Sequence, residues 1–289
     1  MVKILIIGAN SQVGYEFSRL IPDAVLAFHS GGLPENLHID LTNPTKTESA
    51  ILKVGPDIIL NAAAYVEVDK CEENKEYAYK VNSLGVKHIA RAASVLGSFL
   101  VHISTDYVFS GEEGNYTEDS LPNPVNYYGF TKMIGDAFAM SYDNSLVIRT
   151  SGVFGRKKNF PRFAFERLKQ GMEVPVINGY YSPISAKMIA LGMMQAVNLR
   201  LHGTINIAGE RTSRLDFAMF IARQFGLDQS LVKEADGNQL NLKARRPFDS
   251  SLSIGKARRL LPPEIFSSQD NVKTLGEFND SPDGSRKGV

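Results

Sequence analysis

Tyr128 and Lys132 lie in the stretch YYGFTK (127–132). Four residues apart, they share one face of any helix that contains them. A phenol with a pKa of about 10 is a poor acid–base group at neutral pH, and a nearby ammonium favours its phenolate. Spacing alone fits an outer helix face equally well. A reacting carbonyl oxygen needs a further polar partner, and HISTDYVF (102–109) offers Ser104 and Thr105 at the end of an apolar run. Thr105, Tyr128 and Lys132 then fit a carbonyl reduction. A cofactor hydride attacks carbon, Tyr128 protonates the oxygen, and Thr105 fixes it by a hydrogen bond.

That chemistry requires elements that bring a dinucleotide to the same edge. KILIIG (3–8) is a short apolar run closed by glycine, and VGYEFSRLI (13–21) has helical spacing. Further strands are expected at 24–28, 57–63, 99–104, 145–150 and 203–209, and helices at 44–54, 75–97, from Asn126 or Tyr127, and at 164–171, 180–199 and 213–226. Strands apolar on both faces that alternate with helices indicate an α/β fold, a Rossmann-like doubly wound parallel sheet. Residues 1–150 are expected to form the dinucleotide-binding domain, with 180–209 returning to it. Segments 151–179 and 210–265 form a smaller C-terminal substrate lobe, beginning with a loop at 151–163, and 266–289 a loose tail.

IIGANSQVG places Gly8 and Gly14 around the first strand–helix junction. Gly8 allows the tight turn, Gly14 lets the helix approach the sheet, and the helix start faces a pyrophosphate. The second strand ends AFHS, without the carboxylate that holds an NAD ribose, and His29 and Ser30 can donate to a 2′-phosphate. NADP(H) is therefore the favoured cofactor, with NAD(H) left open. A formal net charge of +1 gives no sequence-independent hold on nucleic acid or membrane. The single cysteine, Cys71, fits a cytoplasmic chain.

The motifs as a set resemble the extended short-chain dehydrogenase/reductases, and within them the dTDP-4-dehydrorhamnose reductase family. NAAAYVEVDKCEENKEYAYKVN (61–82), STDYVFSG (104–111), YYGFTKMIGD (127–136), RTSGVFG (149–155), INIAGE (205–210) and RRPFDSSL (245–252) are each similar to a family segment, in order, over roughly residues 1–260. The resemblance implies reduction of dTDP-4-dehydro-L-rhamnose to dTDP-L-rhamnose and a Thr105/Tyr128/Lys132 catalytic set. It implies cofactor contacts from Ser11, Gln12 and Val13, from Asp40 and Leu41 beneath the adenine, and from Ala62, Ala63, Ala64 and Tyr65, with Tyr128 and Lys132. Asp106 and Gly152 fall on the sugar side, and Arg246 or its neighbour Arg245 suits the substrate diphosphate. Cys71 reads as a small buried filler. No metal ligand is assigned, and a homodimer is left open.

Two positions depart from the family. Ser11 replaces a middle glycine, and Gly152 replaces a tryptophan, so the sugar pocket is less filled or differently lined, with Phe154 and Phe160 as candidates for the space. Two rivals stay open: another nucleotide-sugar reductase or epimerase on the same scaffold, and a non-catalytic NADP-binding regulatory subunit like that of methionine adenosyltransferase.

Overall fold

The computed structural model describes residues 2–32, 36–235 and 242–278. In chain order the first half runs β1 (Ile4–Ile7), α1 (Gln12–Leu20), β2 (Val25–Phe28), β3 (Leu37–His38), α2 (Pro44–Val54), β4 (Ile58–Asn61), α3 (Val68–Glu73), α4 (Lys75–Tyr79), a π turn (Lys80–Leu84), α5 (Gly85–Leu96), β5 (Phe99–Ile103), α6 (Tyr127–Met140) and β6 (Ser145–Arg149). The second half runs β7 (Ser151–Phe154), α7 (Phe160–Lys169), β8 (Val174–Val176), β9 (Tyr180–Tyr181), β10 (Pro183–Ser185), α8 (Ala186–Asn198), β11 (Gly203–Asn206), β12 (Thr212–Ser213), α9 (Arg214–Gln224), β13 (Val232–Glu234), α10 (Gly255–Leu260) and α11 (Ser268–Lys273).

Seven strands form one parallel sheet in the order β11-β6-β5-β4-β1-β2-β3. Alternation along the strands explains why both faces are apolar. Ile6, Leu60, Val101 and Ile148 enter one core with residues of α1 and α8. Leu5, Ile7, Ile59, Leu100 and Val147 enter the other with residues of α2 and α5. Strand order reverses between β1 and β4, and at such a switch point ligands bind beyond the carboxyl ends of the strands.

Local signals set the helix starts. Ser11 caps α1 by accepting from Gly14 N–H, Asn43 caps α2 ahead of Pro44, and Asn126 caps α6 by accepting from Gly129 N–H. A third apolar cluster joins Phe154, Phe165, Val174, Tyr181, Phe217 and Ile221 away from the sheet.

Two expectations change. The segment after 150 begins as a strand, since Ser151 and Phe154 pair with Pro183 and Ser185. The tail expected to be loose from 266 is folded through α11. Phe266 and Val272 are buried, and the Asn271 side chain accepts Ser185 N–H at 2.6 Å. Among its described residues Phe266, Val272 and Leu275 are all buried, which composition alone does not reveal. Residues 279–289 lie outside the described residues.

Candidate active site

The crevice at the switch point is framed by main chain. A Cβ on Gly8, whose φ is +80°, would come within 2.7 Å of Ala63 N, and one on Gly14 would run into the Gly8 carbonyl. Both glycines are there for close approach. Ser11 Oγ takes up Gly14 N–H at 3.0 Å, leaving the N–H groups of Gln12 and Val13 without intrahelical partners at the start of α1. A cavity of about 240 Å³ lies here, lined by Gly8, Ser11, His29, Leu41, Ala63, Ala64 and Tyr65 among others. The opposite wall is held by buried amides. Asn61 Oδ1 accepts from Ala63 N–H at 3.2 Å, and Asn82 in the π turn accepts Tyr65 N–H at 2.8 Å while donating to Tyr65 O at 3.0 Å. Ala62 donates its N–H to Ile7 O at 2.9 Å.

Other expected cofactor residues have different surroundings. Val13 is buried in the core, so only its backbone faces the crevice. The Gln12 amide joins α1 to the segment after β7, donating to Val153 O at 3.0 Å and accepting Lys157 N–H at 2.6 Å. His29 and Ser30 are exposed at the mouth. The Asp40 carboxylate accepts from Thr42 N and Oγ1, bonds that hold it below the usual carboxylate range, and lies 3.9 Å from His29 Nε2. Sequence reading missed Lys157, which lines the cavity. Its only signal was the basic loop GRKKNF.

Thr105 and Tyr128 meet where α6 packs on the segment after β5, and Lys132 lies one turn further along α6. The first turn of α6 lies so close to the chain at Tyr107 that a Cβ on Gly129 would overlap the Tyr107 carbonyl. This sets the buried Tyr128 phenol against the Thr105 hydroxyl. Burial pushes the phenol pKa up, and the Thr105 bond pulls it the other way. Lys132 is buried too, donating to Ile103 O at 2.7 Å and lying 3.2 Å from His102 Nε2. Burial pushes its amine down to about 8, opposed by Asp136. The expected lowering of the phenol pKa is thus reversed in the free chain: its environment keeps Tyr128 protonated. Ser104 donates to Asp136 Oδ2 at 2.8 Å.

The sugar-side residues differ most from expectation. Asp106 is buried, and its carboxylate is engaged by three hydroxyls, Thr105 at 3.0 Å, Ser151 at 2.7 Å and Ser250 at 2.5 Å. It ties Ser151 and Ser250 through Oδ2 and Thr105 through Oδ1. Arg246 donates to Asp69 Oδ2 at 2.7 Å and to Ala244 O at 2.9 Å, so its guanidinium is already paired. The space at Gly152 is filled by Tyr181, whose ring carbons lie 2.6 and 2.7 Å from where a Cβ would stand. Phe154 packs on Phe217 in the third core, so it does not fill that space. Arg214, which the sequence did not single out, bonds the Tyr107 hydroxyl and lies over the Tyr181 ring at 5.4 Å. Cys71 is fully buried, and burial pushes its thiol up to about 12, which suits a filler.

The family model for the RmlD substrate binding domain matches residues 2–276. The dTDP-4-dehydrorhamnose reductase of Escherichia coli (strain K12) is 32% identical over 293 residues, covering 95% of this chain and 97% of that protein. A crystal structure described as a hypothetical dTDP-4-dehydrorhamnose reductase from Sulfolobus tokodaii is 45% identical with a TM-score of 0.87, covering 92% of this chain and 97% of that one. The dTDP-4-dehydrorhamnose reductase of Bacillus anthracis, solved in complex with NADP, is 26% identical with a TM-score of 0.86, covering 96% and 99%. Matched almost end to end in sequence and in fold, the chain belongs to the dTDP-4-dehydrorhamnose reductase family.

Proposed function

We propose that this chain reduces the 4-keto group of dTDP-4-dehydro-L-rhamnose to give dTDP-L-rhamnose, with NADPH preferred and NADH accommodated. The observation that carries this reading is the buried Tyr128 phenol, held protonated against Thr105 and packed with Tyr65, which lines the glycine-framed crevice.

The residues present fit a dinucleotide. The Gly8–Ala63 approach leaves room for no side chain, the N–H groups of Gln12 and Val13 suit a pyrophosphate, and Lys157 adds a cation beside Ser11. His29 and Ser30 suit a 2′-phosphate, with the Asp40 carboxylate already engaged by Thr42. When bound, NADPH supplies the hydride for the sugar C4. Tyr128 gives its phenolic proton to the ketone oxygen. Thr105, whose proton rests on Asp106 in the free chain, turns it to that oxygen and leaves Asp106 to Ser151 and Ser250. Lys132 holds the nicotinamide ribose and answers the charge left on the phenolate. The lobe built from 151–179 and 210–265 receives the sugar nucleotide.

We assign the reaction to the cytoplasm because the lone, buried Cys71 suits a reducing compartment. Among the described residues no helix is long and apolar enough to cross a membrane. The test is a panel of dTDP-, GDP- and UDP-linked 4-keto sugars mixed with NADPH and followed by absorbance. Oxidation fastest with dTDP-4-dehydro-L-rhamnose is expected. Tight NADPH binding with no turnover of any of them would favour the regulatory-subunit reading.

A further inference from the structure

We propose that His102 is a positioning residue for the Tyr128–Lys132 pair: Asn61 fixes its ring so that it presents an N–H, and not a lone pair, to Lys132, and so favours the uncharged amine. The inference rests on the roles given above to Tyr128 and Lys132.

Asn61 is fully buried at the end of β4. Its Oδ1 accepts from Ala63 N–H at 3.2 Å, which decides the orientation of the amide. Nδ2 is then the end that lies 3.0 Å from His102 Nδ1. An amide nitrogen only donates, so Nδ1 must be the ring's acceptor, and a neutral imidazole then carries its one proton on Nε2. His102 is fully buried, and burial pushes its pKa well below the usual histidine range, so the ring is neutral.

The ring N–H therefore lies on the side of Lys132, whose Nζ is 3.2 Å away, whereas Asp136 Oδ1 is 3.8 Å away. An ammonium there would set N–H against N–H. An amine offers its lone pair to the ring and keeps a hydrogen for Ile103 O, 2.7 Å away. The charged and titratable groups around Lys132 are His102 from β5, Tyr128 and Asp136 on the neighbouring turns of α6, and Arg149 from β6. Asp136 alone pulls toward the ammonium, but its Oδ2 is 3.6 Å from Arg149 Nε and accepts from Ser104, so its charge is shared. The depressed Lys132 pKa points the same way as the tautomer.

The experiment reads NADPH affinity by fluorescence titration of the whole chain from about pH 6 to about pH 10, which needs no turnover. In the parent, affinity should fall as pH rises through about 8, where Lys132 loses its charge. His102→Leu removes the N–H and should move that limb up by about one pH unit. His102→Gln should restore it: the new Oε1 accepts from Asn61, which turns the new amide NH₂ toward Lys132. A parent without the limb, a Leu variant with the parent's limb, or Leu and Gln variants that move together would each overturn the inference. If His102→Leu does not fold, Asn61→Asp serves instead. Its carboxylate draws the ring proton to Nδ1, turns a lone pair on Lys132 and should raise the limb likewise, and an unmoved limb overturns the proposal. A shifted limb in a parent that reduces no 4-keto sugar nucleotide would uphold His102 and sink the reductase reading.

Discussion

The cofactor crevice and the wall proposed to face the sugar are built in different ways. The crevice comes from short runs at strand ends, 8–14 and 61–65, and its defining approaches are main chain to main chain, as at Gly8 and Ala63. The wall comes from side chains remote in sequence. Asp106 binds Ser151 and Ser250, 45 and 144 positions away, and Arg246 binds Asp69 across 177. A surface made of backbone tolerates side-chain change outside its glycines, whereas a surface made of cross-links changes shape with each partner. The crevice should therefore behave like its relatives, and the wall should be specific to this chain.

The most severe way to separate the two is Tyr128→Phe. It removes the proposed proton donor and leaves the crevice intact, so NADPH affinity should hold while turnover falls roughly 10²–10⁴-fold. Steady-state rates beside a binding titration check this. Turnover within threefold of the parent would remove Tyr128 from the chemistry and turn attention to its neighbour Tyr127.

Gly152→Trp addresses the wall directly. It restores the residue the family resemblance calls for, and on sequence alone it should tighten sugar binding. The structure predicts the reverse. Gly152 has φ +53°, and a Cβ there would stand 2.6 Å from the Tyr181 ring. Strain and overpacking should cost about 1–3 kcal/mol in urea unfolding and raise the KM for the sugar nucleotide. Adding Tyr181→Ala should recover part of both. A single variant as stable as the parent, with a lower KM, would mean that Tyr181 moves aside freely.

The same contrast explains what was legible in the sequence. Strand positions followed from apolar runs, and the start of α6 from Asn126, because both are set by neighbours in the chain. Thr105 and Tyr128 stand just past a strand and at a helix start that such signals locate, and Lys132 lies one turn further along α6. The use of Asp106, Arg246 and Gly152 was not legible, because it depends on Ser250, Asp69 and Tyr181, which only the folded chain brings near. The folded tail failed for a related reason: a few apolar residues suffice when a cleft between two cores awaits them.

Lys132 yields a pH test on the crevice side. Its amine titrates near 8 in the folded chain and at about 10.4 when unfolded. Above about 8 the folded chain loses this proton first, so the unfolded state binds more protons and stability rises with pH until about 10.4. The contribution is absent below the folded pKa and grows to ~2 kcal/mol by about pH 9.5. Urea unfolding of the parent and of Lys132→Met, at about pH 7.5 and about pH 9.5, should show their stability difference moving by that amount in the parent's favour. A constant difference would mean that the buried amine titrates as it does in water.

The smallest effects should come from the two arginines of the wall, and their contrast is the finest test of it. Arg246 is held by Asp69 and the Ala244 carbonyl, so its charge is already answered. Among the described residues Arg214 has no carboxylate at ion-pair distance. It bonds the Tyr107 hydroxyl and overlies Tyr181, and the Tyr107 ring stands edge-on to Tyr128 at 5.9 Å. A guanidinium without an ion-pair partner, one aromatic ring from Tyr128, is the wall cation proposed to meet the substrate. Losing one hydrogen bond from it to a charged or hydroxyl group costs about 1.5 kcal/mol, so Arg214→Gln should raise the KM for the sugar nucleotide roughly tenfold and leave NADPH affinity alone. Arg246→Gln should leave that KM within about twofold and lower stability by no more than ~1 kcal/mol, the range of a partly exposed ion pair. If the two variants exchange these behaviours, the diphosphate draws Arg246 away from Asp69 when it binds, and the pairing seen in the free chain is a resting state that the substrate breaks.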